Sequence, residues 1–219
     1  MTCLVEIVWL GHACFMLKSK TKSLMFDPFK GIGLPEPRAK ADIILCSHSH
    51  SDHNNAGAVR HEKSVVLEGF TGAKQIDNVS IKGIATFHDD THGSKRGRNS
   101  VHVVGLDELV FCHLGDLGQM LSSSQMSEVG SVDILFIPIG GFYTIGPEQA
   151  WKVMESLKPT ITVPMHYRLH GMSATFKALN TVEDFTHRED NVKRLDSPRF
   201  TVSRADLPEK PVIIIPKLG

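Results

Sequence analysis

The stretch that most constrains this chain is DIILCSHSHSDHNN, residues 42–55. Its first part is a near-continuous apolar run, which is typical of a strand that is buried on both faces. Its second part places four polar side chains within six positions: His48, His50, Asp52 and His53. The fold must therefore contain a buried strand whose end presents several imidazole and carboxylate groups close together.

These four side chains predict a metal site. A solvated polar loop is the alternative interpretation, and it would suit a lone H-x-H pair. If the chain stays extended, His48 and His50 point the same way, whereas a helix beginning near residue 51 would aim Asp52 and His53 at a second point. Because metals bind imidazole nitrogen and carboxylate oxygen at about 2 Å, the stretch can start two adjacent sites. The remaining ligands must then come from later strand ends.

Later strand ends carry the same residue types. His88 follows IKGIATF, His113 and Asp116 follow a strand in FCHLGDLG, and His166 follows TVPM. His92, four residues after His88, competes with it for the same role. Each histidine alone would be read as a surface or structural residue, but their shared position at strand ends favours a common site.

The remaining sequence predicts two clusters of strands, each followed by helical segments. The strands are LVEIVWLG, ACFMLKS, SLMFDPF and DIILCS in the first cluster, and VHVVGL, ELVFCHLG, DILFIPIGG and TITVPMHY in the second. Helical patterns occur in LSSSQMSEVG and GPEQAWKVMESLKP. The prolines of KPVIIIPKLG favour an edge position for a last strand. We expect an α/β fold of two sheets packed face to face, with helices outside.

Length and charge restrict the classes of protein to which the chain can belong. Its 219 residues suit one domain with a sizeable core, and no Pro/Ser-rich linker divides them, so we expect a single domain over residues 1–219. The formal net charge is zero at pH 7, which argues against the basic face of a nucleic-acid-binding protein. We therefore expect a small-molecule substrate and no nucleic acid as the partner.

The first residues predict strands rather than a targeting segment. MTCLVEIVWLGHACFML is apolar, but Glu6, Gly11 and His12 interrupt it and it has no basic region. No run approaches the roughly 18 apolar residues of a membrane-spanning helix, so we expect no membrane insertion. Four scattered cysteines fit free thiols in a reducing compartment. We expect a cytoplasmic location, and exposed sheet edges or helices would also allow a homo-oligomer.

Together these motifs resemble the metallo-β-lactamase fold superfamily of dinuclear metal hydrolases. The likeness is carried by HSHSDH, the strand-end histidine, HLGD and PMHY. The series LGHACF, MFDPF, ADIILCSHSHSDHNN, CHLGDLG, DILFIPIGG and KPTITVPMHY is similar to a branch of metal-dependent hydrolases related to the L-ascorbate-6-phosphate lactonases. The resemblance covers residues 5 to 168 approximately. It implies a four-layer αββα sandwich of two mixed β-sheets flanked by helices.

The resemblance also implies roles for the residues that match family motifs. The first metal would be held by His48, His50 and His88; the second by Asp52, His53 and His166; and Asp116 would bridge both. Asp52, Asp116 and His113 would take part in catalysis. Asp27 would support the site from behind, while His12 and His113 would lie near it, next to the ligands or facing the substrate. The two divalent ions would be zinc first, with manganese or iron also suited to these ligand types.

Such a site predicts hydrolysis. Two metal ions that share a water can lower its pKa to about 7 and polarise the oxygen of the group under attack. We expect attack on an ester, lactone or phosphoester of a small anionic substrate. Two alternatives stay open: a phosphodiesterase or nuclease of the same fold, which would need an extra basic domain or an aromatic-basic face, and a non-catalytic metal-binding protein.

The segment GSKRGRN, residues 93–99, lies between two predicted strands of the site. It concentrates Lys95, Arg96 and Arg98. A solvated hairpin tip and an anion-binding loop are both open interpretations. In the second, Arg96 would contact a phosphate or carboxylate of the substrate.

Overall fold

Two β-sheets form the centre of the computed structural model, which describes residues 3–188 and 190–219. In this part of the chain, the first sheet has the strand order β13-β1-β2-β3-β4-β5: Arg199–Val202, Val5–Gly11, Cys14–Lys18, Ser23–Phe26, Ala41–Cys46 and Arg60–Glu68. The second has the order β12-β14-β11-β10-β9-β8-β7-β6: Val192–Arg194, Val212–Ile215, Ile161–Met165, Ile134–Pro138, Leu109–His113, Arg98–Leu106, Val79–Phe87 and Gly72–Ile76.

Both sheets are mixed. In the first sheet β13, β1, β2 and β3 pair antiparallel, whereas β3, β4 and β5 pair parallel. In the second sheet β6 to β9 pair antiparallel, and the pairs from β9 through β10, β11 and β14 to β12 are parallel. Because parallel neighbours run in the same direction, their carboxyl ends meet at one edge of each sheet.

Short helices pack against the sheets. They are α1 (Ala56–Val59), α2 (Ser123–Val129), α3 (Pro147–Leu157) and α4 (Val182–Thr186), with 3₁₀ turns at Ala174–Phe176 and Arg204–Asp206. Helix α1 contacts β4 and β5, α2 contacts β7, and α3 contacts β10. Pro147 begins α3, as the sequence predicts, because proline supplies the helical φ at a position where no N–H is needed. The two mixed sheets with their helices confirm the expected α/β sandwich.

Strand β4 shows why the run from Ile43 to Cys46 is apolar. Ile43 and Leu45 belong to the hydrophobic cluster that contains residues of both sheets. Ile44 and Cys46 point the other way and pack in a second cluster with Val59 of α1. Since both faces are covered, each buried aliphatic side chain contributes about 1.5–3 kcal/mol to stability. This packing fixes the strand that leads directly into the histidine-rich stretch.

One expectation about element placement is wrong, and another is met in part. Strand β14 does not lie at an edge, because it pairs with β11 on one side and β12 on the other. Pro211 and Pro216 flank the strand, so they remove no N–H from its ladder. A helix does form within SDHNNAGAV, at Ala56–Val59, but Asp52 and His53 do not lie at its N-terminus, since the backbone N–H of His53 bonds to the carbonyl of His50 in a turn at 2.9 Å.

None of the helices in the described ranges is long and apolar enough to cross a membrane.

Candidate metal centre

The predicted strand ends come together at one place. His48 lies two residues beyond β4, His88 one residue beyond β7, Asp116 three beyond β9, and His166 one beyond β11. All four side chains are buried. The structure therefore brings together ligand candidates that are separated by up to 118 positions in the sequence.

The first group of potential ligands consists of His48, His50 and His88, whose ligand atoms all lie within 4.8 Å of one another. Nε2 of His48 is 3.1 Å from Nδ1 of His50. His48 and His88 are buried, whereas His50 is exposed. This is the set that the sequence resemblance implies for a first metal ion.

The second group consists of His12, Asp52, His53 and His166, again with ligand atoms within 4.8 Å of one another. Oδ2 of Asp52 is 3.6 Å from Nε2 of His12 and 3.7 Å from Nε2 of His53. Three of these residues form the set implied for a second metal ion. His12, expected only near the site, adds a fourth potential ligand.

His12 reaches this group from the turn between β1 and β2. Its φ is +52°, and its carbonyl accepts hydrogen bonds from the indole N–H of Trp9 at 3.1 Å and from the backbone N–H of His166 at 3.4 Å. Its ring is fully buried, and the ring centroid is 4.1 Å from that of His166. The sequence signal was the turn residue Gly11 directly before a histidine, but nothing local indicates where that ring points.

Asp116 lies between the two groups. Its Oδ2 is 3.1 Å from Nε2 of His88 and 3.3 Å from Nε2 of His166, while Oδ1 is 3.2 Å from Nε2 of His53. Burial alone would raise the pKa of this carboxyl, but the surrounding histidines, His166 first, hold it well below its usual range. Since Oδ2 faces a histidine of each group and Oδ1 faces His53 of the second group, this carboxylate lies where it can bridge two metal ions.

The loop that carries Asp116 depends on close packing. Gly115 has φ +55°, and a Cβ at this position would lie 2.4 Å from Oδ1 of Asn99 and 2.5 Å from Cβ of Ser47. That same Asn99 oxygen accepts the backbone N–H of Asp116 at 2.9 Å. Glycine in HLGD is therefore required by both backbone conformation and space, and Asn99 fixes the carboxylate that follows.

Asp27 supports the histidines from behind, at the end of β3. Its carboxylate accepts the Ser47 N–H and hydroxyl, both at 2.7 Å, and lies 2.8 Å from Nδ1 of His53. Ser47 Oγ is in turn 2.9 Å from Nδ1 of His48. With both Nδ1 atoms engaged in this way, Nε2 of each ring remains for a ligand, which is the arrangement by which carboxylates orient metal-binding histidines.

The donor set fits metal ions. Buried ligand atoms without a hydrogen-bond partner in the described residues include Nε2 of His53 and both ring nitrogens of His12 and His166. Burial lowers the pKa of His12 and of His48 to about 3, so both rings are neutral and keep a nitrogen lone pair. Unpaired buried polar atoms are costly, and cations at this point would satisfy them.

The pKa of His53 is shifted in the opposite direction from the pKa values of His12 and His48. Burial alone would lower its pKa, but the carboxylates of Asp116 and Asp27 raise it well above the ordinary value. Since metals bind only the deprotonated nitrogen, a metal ion at His53 would compete with protons for this position.

Two candidate residues lie elsewhere. His113 does not fit the catalytic role expected for it, because its Nε2–H donates to the carbonyl of Ala13 at 2.8 Å and its Nδ1 accepts the N–H of Gly115 at 3.1 Å. The ring is buried and stacks on Phe26. His92 is exposed and packs edge-on against Phe87, whereas His88 faces Asp116, so the geometry favours His88 as the ligand.

A cavity of about 410 Å³ opens onto the site. It reaches the potential ligands His50, Asp52, His88 and Asp116, and its outer wall includes Lys30, Arg96, Tyr143, Ser173, Thr175 and Phe176. Ligand pockets for small molecules typically measure about 300–1,000 Å³. Neither Lys30 nor Tyr143 was indicated by a sequence motif, since both lie on irregular loops.

Two sheets whose strand ends hold such a histidine and aspartate cluster define a protein of the metallo-β-lactamase superfamily. The family model described as "Beta-lactamase superfamily domain" matches residues 6–166, and the chain belongs to that family. A UPF0173 metal-dependent hydrolase of Pyrococcus abyssi is 31% identical over 192 residues, covering 75% of this chain and 85% of its own length. One of Archaeoglobus fulgidus is 30% identical over 193 residues, with coverages of 74% and 83%.

Solved structures agree with this assignment. A crystal structure from Thermotoga maritima, described as that of a candidate Zn-dependent hydrolase of the metallo-β-lactamase superfamily, superposes with a TM-score of 0.80 at 33% identity. The match covers 96% of this chain and 97% of that one. A metallo hydrolase of Ignicoccus hospitalis has a TM-score of 0.64 at 21% identity, covering 84% and 90%, which is a likeness of fold alone.

Proposed function

We propose that this protein is a hydrolase that depends on two divalent metal ions and cleaves an ester, lactone or phosphoester of a small anionic substrate. The first ion would be held by His48, His50 and His88. The second would be held by Asp52, His53 and His166, with His12 adjacent and Asp116 shared. When bound, the ions would supply hydroxide at neutral pH by lowering the pKa of a shared water to about 7.

The observation that carries this proposal is the position of Asp116. One oxygen faces His88 and the other faces His53, so a single buried carboxylate connects the two ligand groups. Asp27 and Ser47 hold the histidine rings in fixed orientations. The cavity leads to His50, Asp52, His88 and Asp116, so a substrate could approach the ions from this side.

His12 provides a test of the second ligand group. Replacing it with alanine should lower the affinity for one of the two ions by about 10–100-fold, the effect expected for loss of a ligand or of its immediate support. Metal titration against a competing chelator measures both affinities. His61→Ala is the matched control, since that ring pairs with Asp42 away from the site. Unchanged affinities in the His12 variant would exclude it from the metal centre.

The proposed activity is tested by metal analysis and a substrate panel. The protein is purified without added metal, its metal content is measured, and the chelated form is reloaded with Zn, Mn or Fe(II). Aryl esters, lactones and aryl phosphodiesters are then compared as substrates. We expect two ions per chain and hydrolysis that disappears on chelation. Binding of a single ion, or hydrolysis that survives complete metal removal, would contradict the proposal.

Further parts of the proposal concern the protein as a whole. We propose that residues 1–219 act as one domain in the cytoplasm. All four cysteines, Cys3, Cys14, Cys46 and Cys112, are free thiols, which suits a reducing compartment. Self-association stays a prediction that light scattering would test.

A further inference from the structure

The loop after His88 is organised by one buried carboxylate. Oδ1 of Asp89 accepts the N–H and hydroxyl of Thr91 at 2.8 and 2.7 Å and the N–H of Gly93 at 2.9 Å. Its Oδ2 accepts the backbone N–H groups of Lys95 and Arg96 at 3.1 and 2.7 Å. Asp89 is only 4% exposed. Five hydrogen bonds to one side chain give the loop a defined shape, which a solvated hairpin tip would not need.

This shape directs Arg96 toward the cavity. The guanidinium carbon lies 5.4 Å from the ring centroid of Tyr143, a distance at which cation and ring attract. The Tyr143 hydroxyl donates to the carbonyl of Thr175 at 3.1 Å, so the ring beneath Arg96 is itself held. Arg96 is thus held at two places. Asp89 accepts its backbone N–H, and the Tyr143 ring lies against one face of its guanidinium group.

Arg96 has no carboxylate partner among residues 3–188 and 190–219. Its neighbour Lys95, in contrast, pairs with Asp90 at 3.7 Å. The cavity that Arg96 lines also contains Lys30 and the hydroxyl residues Ser173 and Thr175. The carboxylates that reach the cavity, Asp52 and Asp116, belong to the ligand groups. The outer wall is therefore cationic and rich in donors.

We propose that Arg96 and Lys30 form an anion-binding subsite that determines substrate specificity, and that Asp89 is the positioning residue for Arg96. The ligand class is an oxyanion, either carboxylate or phosphate, carried by a substrate whose scissile bond lies at the metal centre. The inference rests on the proposed function for the identity of that bond. A planar guanidinium with several free N–H groups recognises such oxyanions by paired hydrogen bonds.

Kinetics with matched esters test the subsite in the metal-loaded protein. The 4-nitrophenyl monoester of succinic acid is compared with its neutral methyl ester and with an analogue carrying phosphonate in place of carboxylate. Arg96→Gln should raise KM for an anionic ester by about tenfold or more, as expected for loss of a charge-assisted hydrogen bond, and change KM for the neutral ester less than twofold. The carboxylate ester and the phosphonate ester are compared for the rise in KM that Arg96→Gln causes. The ester with the larger rise carries the oxyanion that the natural substrate presents to Arg96.

Two variants serve as comparisons. Arg96→Lys keeps the charge but loses the planar fork, so its KM should lie between those of wild type and Arg96→Gln. Arg98→Gln removes the same charge two positions later, at the start of β8, and should leave KM unchanged. Equal effects of Arg96→Gln and Arg98→Gln, or equal effects of Arg96→Gln on charged and neutral esters, would overturn the proposal.

The role of Asp89 is tested by a double-mutant cycle. Asp89→Asn should raise KM for the anionic ester without changing kcat or the number of bound ions. In the double variant with Arg96→Gln, Asp89→Asn should raise KM little further, because both substitutions remove the same interaction between Arg96 and the substrate oxyanion. Additive effects of the two substitutions, or loss of metal in Asp89→Asn, would show that Asp89 does not act through Arg96.

A binding measurement separates failure of the subsite from failure of the proposed reaction. Benzenesulfonate, a poor metal ligand, and the neutral methyl phenyl sulfone are titrated into the metal-loaded protein by calorimetry. The sulfonate should bind more tightly than the sulfone, and Arg96→Gln should weaken it about tenfold while Arg98→Gln does not. If the sulfonate binds in this way but none of the esters is cleaved, the anion-binding subsite is supported and the proposed hydrolysis of such esters is contradicted. Equal binding of both probes overturns the subsite.

Discussion

Replacing both His48 and His50 with alanine is expected to give a folded protein that neither retains metal nor hydrolyses substrate. The two side chains supply two of the three histidines in the first ligand group, so only His88 and the shared Asp116 would remain there. Loss of a single group that supports a ligand costs about 10–100-fold in metal affinity or activity. Removal of two ligands should therefore exceed this range. Metal content after dialysis and the rate of ester hydrolysis measure the effect.

The controls for this variant must separate loss of ligands from loss of fold. His50 is exposed, so His50→Ala alone should fold normally, and thermal unfolding of the metal-free forms checks the double variant. His92→Ala is the matched control, because His92 competes with His88 in the sequence but is exposed against Phe87. Full metal occupancy in the His48/His50 variant would contradict the assignment of these two histidines as metal ligands. Loss of metal in His92→Ala would restore that residue as the rival ligand.

Much of the fold was predictable because β-strand burial is a local property of sequence. The residues from Ile43 to Cys46 are apolar on both faces of the strand, and the structure covers both faces. The position of β14 was not predictable in the same way. Prolines that flank a strand and prolines that interrupt one look alike in a sequence, and only the pairing of β14 with β11 and β12 distinguishes them.

The site was predictable to the extent that its residues follow strand ends. His48, His88, Asp116 and His166 do so. Parallel pairing of β9, β10 and β11 brings Asp116 and His166 to one edge of the second sheet, whereas His48 comes from the first sheet. His12 belongs to a tight turn, and its arrival beside His166 depends on how the two sheets pack. The orientation of the His113 ring could not be predicted from the sequence either, because its hydrogen-bond partner Ala13 is 100 residues away in the chain.

The anion subsite shows a different limit. The sequence GSKRGRN fits a solvated hairpin tip and an anion-binding loop equally well, because it shows only that the segment carries positive charges. What distinguishes the two interpretations is Asp89, whose five hydrogen bonds shape the loop, and Tyr143, which reaches Arg96 from a distant segment. Neither interaction has a periodic or motif-like signature. Long-range contacts of single side chains are therefore the part of this site that required the structure.

Asp116→Asn is expected to have the largest effect of any single substitution that preserves shape. The variant keeps the size of the side chain and the backbone hydrogen bond to Asn99, but it removes the negative charge between the two ligand groups. An amide also presents an N–H₂ group where one carboxylate oxygen faces His53 or His88 at 3.2 or 3.1 Å. One metal position would then meet a donor instead of an acceptor.

We expect Asp116→Asn to bind at most one ion per chain and to lose at least about 100-fold in kcat/KM, because the shared carboxylate serves both ions. Metal content after dialysis, together with hydrolysis of the neutral ester, measures this without involving Arg96. Asp90→Asn is the matched control, since Asp90 is an exposed carboxylate that pairs with Lys95. A fully active Asp116→Asn protein with two ions would show that Asp116 does not bridge them. Two ions with lost activity would instead assign the carboxylate to the reaction rather than to metal retention.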